Sequence, residues 1–407
     1  MIELLAPAGN MEKLKTALYY GADACYFAGK QFGMRAMSGN FTNDEMRVAV
    51  EYAHSMGKKC YVTVNILAHN ADFIGLKEYL QFLQEIHVDA VIVSDFGIMS
   101  YVKEHAPMLD IHVSTQSNIT NKYSAMEYVK LGAKRLVLAR ELSIEEIKEI
   151  REYIPKDIEI ECFVHGAMCI SYSGRCLLSN YLCGRDSNRG ACVQACRFEY
   201  TIREKSRVGG NEYEIQEDDR GTYILNSKDM CLIRHIKELV DAGITSFKIE
   251  GRMKSPYYVA TVINAYRRAI DMYNLDKQNF VCPQYLYEEC EKTSHRRFTT
   301  GFYFHEKDKE FLETSMPIQT HEFMAIVTSD QIGSYVEIEQ RNRFRVGDVL
   351  EILSPNDNFN KQIVVSEMLD ENGEIVVDAL KVQQSIELNV GDITGMKAGD
   401  ILRKKID

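Results

Sequence analysis

Eight short apolar runs of strand type, each followed by a segment with helical spacing, fill the first 270 residues. No other feature of the chain constrains its fold as strongly. Strands separated by helices pair in parallel, and parallel strands covered on both faces read as near-continuous Val, Ile and Leu. The runs are ELLAPAG (3–9), ADACYFA (22–28), KKCYVTVNI (58–66), DAVIVS (89–94), DIHVSTQ (110–116), AKRLVLAR (133–140), IEIECFVHG (158–166) and TSFKIEG (245–251). Helices are expected at 11–21, 42–56, 72–86, 96–105, 121–131, 143–154, 229–242 and 256–273. Gly21 and Gly57 are C-terminal stops for the first two, and Pro256 suits the first turn of the last. Eight such units over roughly 250 residues predict an α/β fold, a closed TIM-like (β/α)8 barrel. A doubly wound open sheet is the alternative. It lacks support because no Gly-rich nucleotide fingerprint follows the first strand.

The period changes near His321. MAIVTSD, SYVEIEQ, VGDVLEILSP, KQIVVSEMLD, EIVVDALKV and GDILRKK alternate apolar and polar residues between Gly, Asn and Asp turns. This pattern predicts a small C-terminal β-barrel domain at 321–407. The barrel then occupies 1–273, with a cysteine-rich insertion at 162–228, and 274–320 is a connecting region.

Composition decides how the 11 cysteines are read. The N-terminus, MIELLAPAGN, has no basic region or long apolar run, and no segment has the roughly 18 apolar residues of a membrane helix. A cytoplasmic protein with no membrane association is expected. Disulfides are rare in that compartment, so clustered cysteines point to metal binding or catalysis. The formal net charge of −11 argues against a general nucleic-acid coat protein. Segment 162–210 departs from it. Arg175, Arg185, Arg189, Arg197, Arg203, Lys205 and Arg207 outnumber Asp186, Glu199 and Glu204.

That segment holds Cys162, Cys169, Cys176, Cys183, Cys192 and Cys196 after the seventh strand, at the barrel face where active sites lie. Cys162 falls within a strand. Cys169, Cys176, Cys192 and Cys196 fall in Gly- and Ser-rich loop sequence with C-x6-C-x15-C-x3-C spacing. Structural zinc favours two tight C-x2–4-C knuckles, and only the last pair has that form. The wide first spacing suits an iron–sulfur cluster. Cys231 is an alternative fourth ligand. Other strand ends supply polar candidates: Gln116, Arg140, Glu161 and His165, and the cationic loop Lys248, Glu250, Arg252 and Lys254, suited to a carboxylate or phosphate. Ser171, Ser173 and Ser179 have no base–acid partners at a recognisable spacing.

LLAPAGNMEKLKTAL, STQSN, LARELS, ECFVHGAMCISYSGRCLLSNY, GRDSNRGACVQACR, NSKDM and FKIEGRMKSPYY together resemble the collagenase-like peptidases of family U32. The resemblance covers most of the barrel, and the tail is similar to that family's C-terminal β-barrel. Its members include prephenate-dependent tRNA uridine hydroxylases acting at the wobble position, ribosomal RNA cytidine hydroxylases and hydroxylases of a ubiquinone precursor. The resemblance implies a [4Fe-4S] cluster, prephenate as co-substrate and tRNA as partner. Peptidase activity and ribosomal RNA hydroxylation are the alternatives. Residue by residue, Cys169, Cys176 and Cys192 match the family's cluster ligands, and Cys196 the fourth ligand of tRNA-type members. Quinone-type members place the fourth near NSKDM, where this chain has Asn226 and Ser227. His165, Glu161 and Arg140 are then the catalytic candidates, and Gln116, Lys248, Glu250, Arg252 and Lys254 the substrate-binding ones.

Overall fold

The structure, a computed structural model, describes residues 2–33, 39–169, 171–198, 217–218, 221–222, 227–305 and 317–406. Arg203, Lys205, Arg207 and Asn226 lie outside the described residues.

Seven parallel strands follow one another round the barrel: β1 (Glu3–Pro7), β2 (Ala24–Phe27), β3 (Lys59–Val64), β4 (Ala90–Val93), β5 (Asp110–Val113), β6 (Arg135–Val137) and β7 (Glu159–Ala167). A short strand, β8 (Asp229–Cys231), intervenes before β9 (Ser246–Ile249). β9 pairs in parallel with both β7 and β1, which closes the ring. Both faces of these strands are covered: every residue of β2, β4 and β9 is buried. The helices start where sequence signals place them. Thr42 with Glu45, and Ser143 with Glu146, form reciprocal capping boxes. Ser255 caps the helix Pro256–Leu275 through the Tyr258 amide.

Two expectations need correction. The segment 72–86 is not one helix. A 3-10 turn at Asn70–Phe73 is followed by Gly75 in the left-handed region, and the helix runs from Leu76 to Glu85. The helix expected over 229–242 begins instead as β8, passes through a 3-10 turn at Ile233–His235 and becomes helical at Ile236–Asp241. The cause is tertiary. β7 runs nine residues, and its last turn of chain offers an unpaired edge. β8 takes that edge antiparallel, with Cys231 opposite His165 and Asp229 opposite Ala167. Strand β10 (Phe298–Thr299) then adds to β8. The segment after the last barrel helix therefore extends the sheet outward from the end of β7. It carries the helix Gln284–Cys290 and buries Thr293, His295, Arg296 and Tyr303.

The tail is an eight-stranded antiparallel sheet with its own core, including Met324, Val336, Ile338, Leu350, Ile386 and Leu388. It is fastened to the barrel by Arg403. This wholly buried guanidinium donates to Glu289 on the helix Gln284–Cys290 at 2.5 and 2.8 Å, and to Glu351 of the tail at 2.8 Å. Tyr20 of the barrel donates to the Leu353 and Gly399 carbonyls of the tail at 2.8 and 3.1 Å. A second cross-domain ion pair joins Arg341 of the tail to Glu12 of the barrel, and Arg341 also meets Glu339. No helix among the described residues is long and apolar enough to cross a membrane.

Candidate active site and cysteine centre

The barrel interior begins with a charged floor. Arg135, from the start of β6, donates to Glu3 at 2.6 Å, Glu159 at 2.7 Å and Glu161 at 3.0 Å. Burial works to raise the Glu3 carboxyl, but the Arg135 charge outweighs it and holds the group below its usual range. One layer up, Lys248 of β9 donates to the second oxygen of Glu161 at 2.6 Å, with its ammonium over the Tyr26 ring. Glu161 and Lys248 are both buried and neutralise one another.

Above this floor lies the cysteine loop, tied to three other strand ends. The Ser173 amide donates to Glu141, after β6, at 2.8 Å. Gly174, with φ +71°, packs directly on the Gln116 carbonyl after β5, where a Cβ has no room. Arg189 donates to the Leu67 carbonyl beyond β3 at 2.6 Å and grips Asp72 bidentately at 2.7 and 3.0 Å. The Arg189 hydrogen bonds, foremost, hold the Asp72 carboxyl down at about 2. Within the loop, Ser187 and Asn188 both donate to the Cys176 carbonyl at 2.8 and 2.9 Å. Ser179 Oγ lies 3.8 Å from Cys192 Sγ, and the Gln194 amide donates to that sulfur at 3.4 Å. The chain folds this way locally because glycine supplies positive φ at Gly174, Gly184 and Gly190.

Cys169 and Cys192 are exposed, and Cys176 and Cys196 half-buried. Burial pushes the Cys196 thiol up. The Arg197 charge opposes this, while Cys169, Cys192 and Cys176 add to it. The four thiols thus share one electrostatic neighbourhood. They are not drawn together like zinc ligands. Thiolates on one tetrahedral zinc at about 2.3 Å stand about 3.8 Å apart, and among the described residues the only tight group of donors is elsewhere. An iron–sulfur cubane gives each cysteine its own iron and needs a wider set. The loop donors fit the cluster in kind and number.

The tight group is His165, Cys231 and Cys290, all buried, with donor atoms within 4.8 Å of one another. Burial raises the Cys231 thiol, but the Cys290 hydrogen bond and the His165 charge outweigh it and bring it well below its usual value. Cys231 thus faces His165 across the β7–β8 pair, with Cys290 close to both. His165 sits among Tyr258, Tyr266 and Phe298.

Of the expected catalytic set, Glu161 sits on Lys248 and Arg135, His165 lies beside Cys231 and Cys290, and Arg140 donates to the Ala167 carbonyl at 2.9 Å, over the Phe163 ring that Lys248 also faces. Among the expected binding residues, Gln116 accepts from Asn65 at 2.5 Å, and Glu250 accepts from the Tyr26 hydroxyl at 3.3 Å. Arg252 is buried on Asn40 at 2.6 Å, and Lys254 donates to the Ser294 carbonyl at 2.8 Å. A cationic group that sequence spacing did not reveal adjoins the cysteines. Arg296 grips Asp229 at 3.1 and 2.7 Å. Burial and then the Arg296 charge lower the Arg197 guanidinium, and Lys254 is lowered by burial and by both arginines. Arg296 lies in the segment 274–320 and gains its role only from Asp229, far away in the chain. The unbroken HRR run at 295–297 was the one signal present.

The family model for peptidase family U32 matches residues 9–313, and that for the family U32 C-terminal domain matches 319–403. The chain belongs to peptidase family U32. Among curated relatives of this U32 chain, tRNA hydroxylation protein P1 of Bacillus subtilis (strain 168) is 41% identical over 375 residues, covering 91% of this chain and 87% of its own. The tRNA hydroxylation protein P of Escherichia coli (strain K12) is 36% identical over 450 residues and covers 98% of each chain. A Porphyromonas gingivalis (strain ATCC BAA-308 / W83) protein named collagenase is 33% identical, covering 89% of this chain and 86% of its own. The solved structure of the U32 peptidase Mk0906 is 17% identical with a TM-score of 0.42, and it covers 62% of this chain and 94% of its own.

Proposed function

We propose that this U32 chain hydroxylates tRNA with a [4Fe-4S] cluster held by Cys169, Cys176, Cys192 and Cys196, and that the reaction is prephenate-dependent 5-hydroxylation of the wobble uridine. The observation that carries this reading is that Cys169, Cys176, Cys192 and Cys196 all stand on one loop that Glu141, Gln116 and Asp72 fasten over the strand ends. The near full-length similarity to proteins named for tRNA hydroxylation supports it.

The bound cluster would supply one-electron redox and Lewis-acid chemistry at iron. The chain's own residues do the rest. Arg197, Arg296 and Lys254 offer a partly desolvated cationic group beside the cysteines, suited to a dicarboxylate such as prephenate. Asp229 fixes Arg296 in place. The Glu161–Lys248 pair and Arg140 act as positioning residues: the first forms a rigid floor, and Arg140 pins the end of β7. Gln116 supports the loop through Gly174. A wobble base is already unpaired, so it reaches a barrel mouth without the cost of opening a duplex.

The test is iron and acid-labile sulfide analysis of anaerobically purified protein, followed by assay of tRNA for a hydroxylated uridine with and without prephenate. About four irons and four sulfides per chain, and a prephenate-dependent product, are expected. A colourless zinc protein, or unmodified tRNA from fully loaded protein, overturns the reading. Peptidase chemistry has weaker support. Among the described residues Ser173 binds Glu141 directly, without an intervening histidine.

A further inference from the structure

The cysteine loop leaves several large apolar side chains exposed. Tyr172 is 62% exposed and Tyr181 82% exposed, with Leu177 and Leu182 also open to solvent between and beside them. Four large apolar side chains within eleven residues are costly to leave in water unless something covers them. They stand on a loop that is held to the barrel at several points. Ser173, Gly174, Ser187, Asn188 and Arg189 fasten it to the barrel. Tyr181 lies on the short helix Leu178–Cys183, whose Ser179 is buried.

Charge decides what kind of partner fits. The protein carries −11 overall, yet between Met168 and Phe198 the only acidic residue is Asp186, against Arg175, Arg185, Arg189 and Arg197. Asp186 caps its own turn through the Asn188 amide at 2.8 Å. Arg189 is held by Asp72. Arg175 and Arg185 are exposed. Among the described residues, neither makes an ion pair within 4.0 Å. Exposed tyrosines and arginines on one loop, in an otherwise acidic protein, match single-stranded nucleic acid. The rings stack on bases, and the guanidinium groups meet phosphates.

We propose that this loop face is where unpaired nucleotides of the RNA dock, with Tyr181 and Tyr172 as stacking platforms and Arg185 and Arg175 as phosphate contacts. This rests on the RNA-directed reading above. It adds that the element holding the cysteines also binds the RNA, which delivers the base next to the thiols.

The test measures binding of an unmodified tRNA to the full-length protein by fluorescence anisotropy at several salt concentrations, with iron and sulfide measured on every variant. Tyr181→Ala with Tyr172→Ala should weaken binding roughly ten-fold or more, and Tyr181→Phe should restore most of it. Arg185→Glu should flatten the dependence of log affinity on log salt by about one unit. Iron and sulfide should match the parent protein throughout. If the parent binds tRNA and these variants bind it equally well, the docking face is overturned while the hydroxylase reading stands. If the parent binds no tRNA at all, both fail. Binding to phosphatidylserine vesicles, or a dimer lost in Tyr181→Ala, with tRNA affinity unchanged, would assign the face to a lipid or a second copy and overturn the proposal.

Discussion

At the foot of the barrel, Arg135 is 1% exposed and touches three carboxylates. At the mouth, four thiols stand exposed or half-buried, and burial, with the other three adding to it, raises the Cys196 thiol. The floor is a closed electrostatic unit: Glu3, Glu161, Lys248, Ser246 and Tyr61 satisfy one another around one guanidinium. The mouth is an open one, whose donors repel each other once ionised and gain from a cation between them. The floor stabilises the fold through its own pairs, whereas, among the described residues, the mouth leaves its thiols without such partners in the proposed cluster site. Barrels commonly divide stability and chemistry between their two ends in this way.

The sharpest way to break that contrast is to remove one thiol. Cys169→Ala should abolish bound iron and sulfide, and with them any tRNA hydroxylation, while far-UV circular dichroism stays at the parent value. A large loss of helix signal would mean that the loop thiols belong to the folding core after all. At the other end, Arg135→Met leaves Glu3 and Glu161 buried beside less positive charge. Urea unfolding should show a loss of about 3–5 kcal/mol, and a variant as stable as the parent would refute the description of the floor.

A milder substitution tests the join between floor and mouth. Gly174→Ala places a methyl group against the Gln116 carbonyl at a positive φ. The backbone strain alone costs about 1–3 kcal/mol, so the loop should lift. Cluster retention during purification should fall several-fold, with unfolding of the barrel little changed. The smallest effect concerns the tail, a region remote from both. Burial, then the Arg403 and Lys292 charges, hold the His321 imidazole down at about 4. An unfolded histidine titrates near 6.5, so the unfolded chain binds more protons between these values. Stability is therefore fully present above pH 6.5 and declines as pH falls toward 4. His321→Gln should narrow the drop in melting temperature between pH 7 and pH 5. An unchanged drop would place the acid sensitivity elsewhere.

Much of this was legible in the residues themselves. The strand–helix alternation gave all eight barrel strands, because doubly covered parallel strands must be apolar throughout and helices carry local caps such as Thr42 and Ser143. The cysteine loop was visible because glycine-rich spacing is local in the chain. The segment 229–242 differs from the expected helix because Met230, Cys231, Ile233 and Ile236 are compatible with a helical face, and only pairing with the end of β7 selects a strand. Arg296 was invisible for a related reason: its meaning depends on Asp229, 67 residues away.

The sequence by itself determined the periodicity, the caps and the supply of thiols, since each depends on neighbours within a few residues. Tertiary structure alone decided which groups meet. It closed β9 onto β1, paired Glu161 with Lys248, and set Cys231 beside His165 and Cys290. Those pairings join residues far apart in the chain, and they follow from ring closure and burial, which no local pattern encodes.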